Sequence, residues 1–120
     1  MKAVQQNERR IANVNDAEFK PWMNDGGEDS GQSVLQLDNT RGDGVGFHVF
    51  RMAPGTTTES HQHMEDEEFF VLEGDLTDND GTVYRPGDLV WMKKGTEHNS
   101  YSENGCTLIV YIGRAEVPVS

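Results

Sequence analysis

Short runs in which β-branched and aromatic residues alternate with polar ones recur from Ser33 onward: SVLQL, VGFHVFRM, EFFVLEG, TVYR, DLVWM and TLIVYI. An extended chain turns successive side chains to opposite faces, so this alternation describes strands with one face in a core. Between the runs stand DNTRGDG, APGTT, DNDG, RPGD, KKGT and SENG, where glycine, asparagine and proline supply the backbone angles of turns. DNDG, between DLT and TVYR, is expected at a hairpin tip. No useful length of chain carries helical periodicity, and the spacing of short strands predicts an all-β antiparallel barrel or sandwich.

Met1 to Ser30 is polar and glycine-interrupted, with only small apolar clusters such as Phe19 with Trp22. It reads as an irregular N-terminal arm (1–30) on one β-barrel domain (31–120). In EFFVLEG, Phe70 and Leu72 are apolar on the face opposite Phe69 and Val71, and a strand apolar on both faces needs an outer cover. A second subunit is the simplest cover, so a homodimer is expected. The arm, folded back through Phe19 and Trp22, is the competing one.

A chain of 120 residues has room for one modest core, and a hydrophobic content of 34% is low for that size. A metal ion or oligomerisation is therefore expected to contribute stability. The net charge of −11, from 21 acidic against 10 basic residues, repels phosphate backbones and anionic headgroups. Nucleic acid and membrane surfaces are thus poor partners, and a neutral or cationic small molecule suits better, although acidity also serves solubility. Cys106, the single cysteine, opens a strand-like run and reads as a packing residue. The polar start MKAVQQNERRIANVN lacks the apolar core of a secretory signal, and no run nears the ~20 apolar residues of a spanning helix, so a cytoplasmic location is expected.

The chemistry concentrates in His61, His63, Glu67 and His98. Residues 61, 63 and 67 share one parity, which selects Glu67 over Glu68 and places two imidazoles and a carboxylate on one strand face. Such a set offers neutral nitrogen and anionic oxygen to a divalent metal.

Residues 55–74, G-TTTES-H-Q-H-MED-E-EFFVLE-G, resemble the first cupin motif at every fixed position, and residues 87–102 resemble the second through Gly87, Gly95 and His98. Lys93 stands where the family usually has proline, and Ser102 where it usually has asparagine. The resemblance, from Ser33 to Ile112, implies a jelly-roll-like barrel holding one divalent metal ion (Fe, Mn, Ni or Zn) through His61, His63, Glu67 and His98. EEFFVLEGDLTDNDGTVYRPGDLVWMKKGTEHNSYSENGC is similar to the cupin domain of ChrR-type anti-sigma factors and to acetylacetone-cleaving dioxygenases. Such anti-sigma factors also carry an amino-terminal zinc-binding region with histidine and cysteines. Met1–Ser30 has neither, so an anti-sigma role is not expected.

Three imidazoles and one carboxylate leave two positions open on an octahedral ion, room for a chelating substrate or for dioxygen beside it. The expected function is a metal-dependent dioxygenase acting on a small diketone-like or enolisable compound. The alternative is a non-catalytic metal-dependent binding or sensing module, and isomerase or lyase chemistry is also compatible with the fold. No catalytic residue beyond the ligands is identified. His48 reads as a partly exposed strand histidine rather than a cavity wall, Phe69, Val71, Trp91, Tyr101 and Tyr111 as core, and Lys93 and Lys94 as a solvated turn.

Overall fold

The alternation of EFFVLEG and TLIVYI is reproduced in the burial of the two strands they form. A computed structural model describes residues 1–24 and 26–120. Among these residues the strands are β1 (Lys20–Met23), β2 (Asp29–Leu35), β3 (Gly46–Met52), β4 (Thr56–Thr57), β5 (His61–Gln62), β6 (Glu67–Gly74) and β7 (Leu76–Asp78). They continue as β8 (Val83–Tyr84), β9 (Leu89–Met92), β10 (Glu97–His98), β11 (Ser100–Ser102), β12 (Cys106–Ile112) and β13 (Val117–Pro118). Neighbours pair antiparallel in three sheets, ordered β1-β2-β3-β12-β6-β9, β4-β11-β7-β8 and β10-β5-β13.

The core lies between the two larger sheets: Met52 from β3, Phe69 and Val71 from β6, Leu76 and Tyr84 from β7 and β8, and Cys106, Leu108, Val110 and Ile112 from β12. Burying each large aliphatic or aromatic side chain contributes roughly 1.5–3 kcal/mol. In β6, Glu67, Phe69 and Val71 point inward while Glu68 and Leu72 are exposed. Trp91, Tyr101 and Tyr111 depart from the expected core and are 59%, 43% and 44% exposed. The register explains two of them: Tyr111 pairs with Phe47 on one side and Glu68 on the other, and Glu68 pairs with Trp91, so all four share one outward row.

The last glycine of the first motif has a steric reason. Gly74 has φ +90°, and a Cβ there would lie 2.1 Å from the Gly105 carbonyl oxygen on the chain entering β12. Gly95, at φ +94°, shapes the turn from β9 to β10. That turn is clamped by backbone bonds from Gly95 to the His63 carbonyl and from His63 to the Thr96 carbonyl, 2.8 and 2.9 Å. These bonds hold the His98 turn with Lys93 in the proline position. Ser102, in the asparagine position, is fully buried and donates to the Asp75 carbonyl oxygen at 2.7 Å. DNDG is a hairpin tip between β7 and β8, closed by bonds from Asp78 to Thr82 and from Gly81 to Asp78.

The arm holds one 3-10 turn at Gln6–Glu8 and is irregular as far as Phe19. KPWM then extends the six-stranded sheet as its edge strand, where Pro21 costs no interior ladder bond. Phe19 lies beneath the Arg51 guanidinium at 3.9 Å, and Arg51 donates to the Val14 carbonyl. Trp22 rests against Gly44. Neither anchor covers Leu72, which stays 42% exposed. Among the described residues no helix is long and apolar enough to cross a membrane.

Candidate metal centre

His61 and His98 are direct cross-strand partners on β5 and β10, their ring centroids 4.6 Å apart. His63, just beyond β5, completes a triangle at 5.1 Å from His61 and 4.9 Å from His98. Each ring is oriented through Nδ1. His61 Nδ1 donates to the Glu59 carbonyl at 2.8 Å, and His98 Nδ1 to Asp78 Oδ2 at 3.0 Å. His63 Nδ1 donates to Thr96 Oγ1 at 2.9 Å, because the Thr96 hydroxyl proton is given to the Lys93 carbonyl. With Nδ1 protonated in all three, every Nε2 presents a lone pair.

The Nε2 atoms of His63 and His98 are buried with no hydrogen-bond partner. Lone pairs withdrawn from water with nothing to satisfy them are costly, and their convergence suits a cation. Glu67 opens β6 with its carboxylate inward, Oε1 3.4 Å from His63 Nε2, while Glu68 faces out. The donor atoms of His61, His63 and His98 lie within 4.8 Å of one another, a grouping that can hold a metal ion. The fold thus brings all four sequence-predicted residues to one place.

Sequence reading misses the partners that complete this arrangement. Asp78, read only as part of a hairpin tip, accepts from His98, from Ser100 Oγ at 2.5 Å and from Tyr84 Oη at 2.6 Å. Glu116 reaches His61 Nε2 at 3.3 Å and His63 Nε2 at 3.9 Å, and it forms a second donor group with His63 and Glu67. Asp78 ends a recognisable strand, a usable signal. Glu116 lies beyond the motifs and has none.

Burial raises Glu67 well above the ordinary carboxylate value, and the facing Glu116 carboxylate adds to the effect. Burial, with the neighbouring imidazoles of His98 and His61, pushes His63 down to about 4. Burial also works against ionised Asp78, but hydrogen bonds from His98, Ser100 and Tyr84 hold its carboxyl below the usual range. Cys106 is buried and its thiol is pushed up to about 11 by that burial, as befits a packing residue.

Beside the cluster lies a cavity of about 330 Å³, walled by Phe50, Met52, Phe69, Leu108 and Val110 together with His48. His48 corrects the sequence reading: it is 4% exposed and faces this cavity, its Nδ1 bonded to the Gly46 carbonyl at 3.0 Å. Burial lowers its pKa, so the ring presents an uncharged surface. Its parity with Met52 was the available signal. Lys93 and Lys94 remain exposed outside the cavity.

Residues 7–116 match the family model of the ChrR cupin-like domain. The chain belongs to this cupin family. Over 55 residues the chain is 38% identical to a protein of Cereibacter sphaeroides provisionally named dimethylsulfoniopropionate lyase DddL, an alignment over 45% of this chain and 23% of that protein. The chain therefore spans under a quarter of that curated relative's length. Among solved structures, the polyketide cyclase RemF of Streptomyces resistomycificus superposes with a TM-score of 0.68 at 19% identity, covering 93% of this chain and 86% of RemF. The acetylacetone dioxygenase of Acinetobacter johnsonii gives 0.68 at 13% identity over 93% of this chain and 79% of its own. At these identities the two structures establish the cupin fold.

Proposed function

We propose that this cupin is a metal-dependent dioxygenase acting on a small diketone-like or enolisable compound, with the ion held by His61, His63, Glu67 and His98. The carrying observation is the convergence of three Nε2 lone pairs and the inward Glu67 carboxylate on a cavity of about 330 Å³ with apolar walls on one side. Bound there, a divalent ion supplies Lewis acidity and, where redox-active, electron transfer with dioxygen.

The chain's own groups do the rest. The Nδ1 anchors on Glu59, Thr96 and Asp78 fix the three rings before any ligand arrives, which limits reorganisation on binding. Phe50, Phe69, Leu108 and Val110 give the cavity an apolar wall, which favours a small molecule with an apolar body and a polar end turned toward the histidines. His48, held by the Gly46 carbonyl, adds one uncharged polar group to that wall.

The test is elemental analysis after expression in iron-supplemented medium, combined with an oxygen electrode and a series of 1,3-diketones. Iron-dependent oxygen uptake with substrate loss supports the reading. Full metal loading with no oxygen uptake across the series contradicts it and favours a binding or sensing module, which works with zinc and turns over nothing.

The 38% match to the provisionally named lyase favours a second reading, elimination from a small substituted acid. Incubation with dimethylsulfoniopropionate under argon, followed by NMR, separates the two, since elimination consumes no oxygen.

We also propose that the chain forms a homodimer through the outward face of the six-stranded sheet. Phe47, Leu72, Leu89, Trp91 and Tyr111 are exposed there at 67%, 42%, 79%, 59% and 44%, and apolar side chains gathered on one sheet face suit a contact between subunits. The single buried thiol of Cys106 fits a reducing cytoplasm as the place of action.

A further inference from the structure

We infer that Glu116 is a fifth ligand of the metal centre, delivered by the C-terminal strand rather than by either cupin motif. The inference rests on the proposed metal site and adds to it a residue that the motifs do not contain.

Three observations lead there. The tail is stitched to the strand that carries His61: Val117 and Pro118 of β13 pair with Gln62 and His61 of β5, and Val119 donates to the Ser60 carbonyl at 3.0 Å. This pairing leaves Glu116 at the entry to the site, its side chain 28% exposed. Its two carboxylate oxygens point at different imidazoles, Oε2 toward His61 Nε2 at 3.3 Å and Oε1 toward His63 Nε2 at 3.9 Å. Donors around a common divalent ion with bonds of about 2.1 Å stand about 3 Å apart when adjacent and about 4.2 Å when opposite. The distances from His63 Nε2 to Glu67, 3.4 Å, and from the imidazoles to Glu116 fall in that range.

The chemistry of the cluster gives the third observation. Every N–H of the three imidazoles is spent on Glu59, Thr96 or Asp78, so each ring offers the interior only a lone pair. Glu67 and Glu116 add carboxylates. Five electron-pair donors thus face one another with no N–H of the imidazoles turned inward, and a divalent cation satisfies all five at once, its two charges matched by two carboxylates.

Glu67 is the first residue of β6 with its side chain inward, whereas Glu116 lies just before the two-residue strand β13 with part of its side chain in solvent. Of the two carboxylates, Glu116 is therefore the one able to leave its position. In the resting protein it occupies one of the two places that the motif ligands leave open, and a substrate binding through two oxygens displaces it.

The test uses the full chain loaded with cobalt(II), whose visible ligand-field absorption strengthens as coordination number falls. Wild type is compared with Glu116→Ala, Glu116→Gln and, as control, Glu97→Ala, which removes an exposed carboxylate on β10 outside both donor groups. Circular dichroism establishes that each is folded. The expected result is a changed cobalt spectrum and at least about tenfold weaker cobalt affinity in Glu116→Ala, by competition with a chromogenic chelator, with the control unchanged. Glu116→Gln, which keeps one neutral oxygen donor, is expected between the two. Unchanged spectra in both Glu116 variants overturn the inference even if affinity falls, because Glu116 then acts from outside the coordination sphere. Wild type that takes up no cobalt overturns the metal site itself, a separate outcome from a loaded site indifferent to residue 116.

Discussion

His98 Nδ1 donates to Asp78 Oδ2 at 3.0 Å, and that buried carboxylate also receives Ser100 and Tyr84. Asp78 thereby ties β10, β11 and β8 to the end of β7 while fixing which nitrogen of His98 faces the cluster. Asp78→Asn leaves three donors competing for one carbonyl oxygen and removes the charge that strengthens their bonds. The expected result is about 1–3 kcal/mol lower stability in urea and a 10–100-fold loss of metal affinity. An affinity within twofold of wild type would contradict the orienting role.

Alanine at His61, His63 or His98 is expected to strip most of the metal from the purified protein, each removing one of three converging Nε2 atoms. Glu67→Gln is expected to weaken binding less, since the amide keeps an oxygen donor, and Glu68→Gln, on the exposed face, to change nothing. Mass-spectrometric metal content checks the ranking, and full occupancy in two of the histidine variants would sink the ligand assignment.

The pH dependence of the metal-free protein has two opposed parts. His63 is depressed from 6.5 to about 4, so the unfolded chain takes up that proton first and stability is lost as pH falls through this window. Glu67 is raised above 4.5, so the folded protein holds a proton that the unfolded chain releases. Stability from that group is present below about pH 4.5 and lost as pH rises through its raised pKa. In a chelator-treated sample, scanning calorimetry is expected to show a decline on the alkaline side that Glu67→Gln abolishes. A decline of equal size in the variant would refute its origin in Glu67.

Light scattering tests the outward sheet face. Wild type is expected as a dimer, and Leu72→Lys combined with Trp91→Glu as a monomer with unchanged metal content, because both side chains point away from the histidines. Each apolar side chain buried at such an interface is worth roughly 1.5–3 kcal/mol. Wild type monomeric at high micromolar concentration would remove the dimer.

Gly74→Ala places a methyl group 2.1 Å from a backbone oxygen at a φ of +90°. A loss of roughly 2–4 kcal/mol is expected, read from the urea midpoint. A change below about 1 kcal/mol would mean that β6 and β12 separate more easily than their register implies.

Much of this protein is legible in its sequence because strand parity is a strict rule. Within β6 it puts Glu67, Phe69 and Val71 inside and Glu68 outside, but the single strand face expected for His61, His63 and Glu67 does not exist, because a bend at 63–66 separates β5 from β6 and the two strands belong to different sheets. Parity says nothing about which strands are neighbours or which of their faces is outward, so the outward Tyr111–Glu68–Trp91 row becomes visible only with the pairing. KPWM is too short to show alternation and is a strand only because β2 offers it an edge. His48, read as a partly exposed strand histidine, is buried because the Gly46 carbonyl supplies the partner its Nδ1 needs, a contact no sequence pattern announces. Glu116 lies outside every motif, and a terminal pairing of two residues brings it back to the histidines.

The three imidazole anchors also differ in how far along the chain their partners lie. His61 is positioned by a carbonyl two residues before it, whereas His63 needs the β9–β10 turn and His98 needs the end of β7. A nascent or partly collapsed chain therefore displays one oriented ring, a weak and unselective chelator. The complete donor set exists only after distant segments have met, so an ion captured there is captured late and adds its binding energy to the finished barrel alone. At the proposed site, occupancy would then report the integrity of the whole chain, because every segment that brings a donor must be in place before the ion is held.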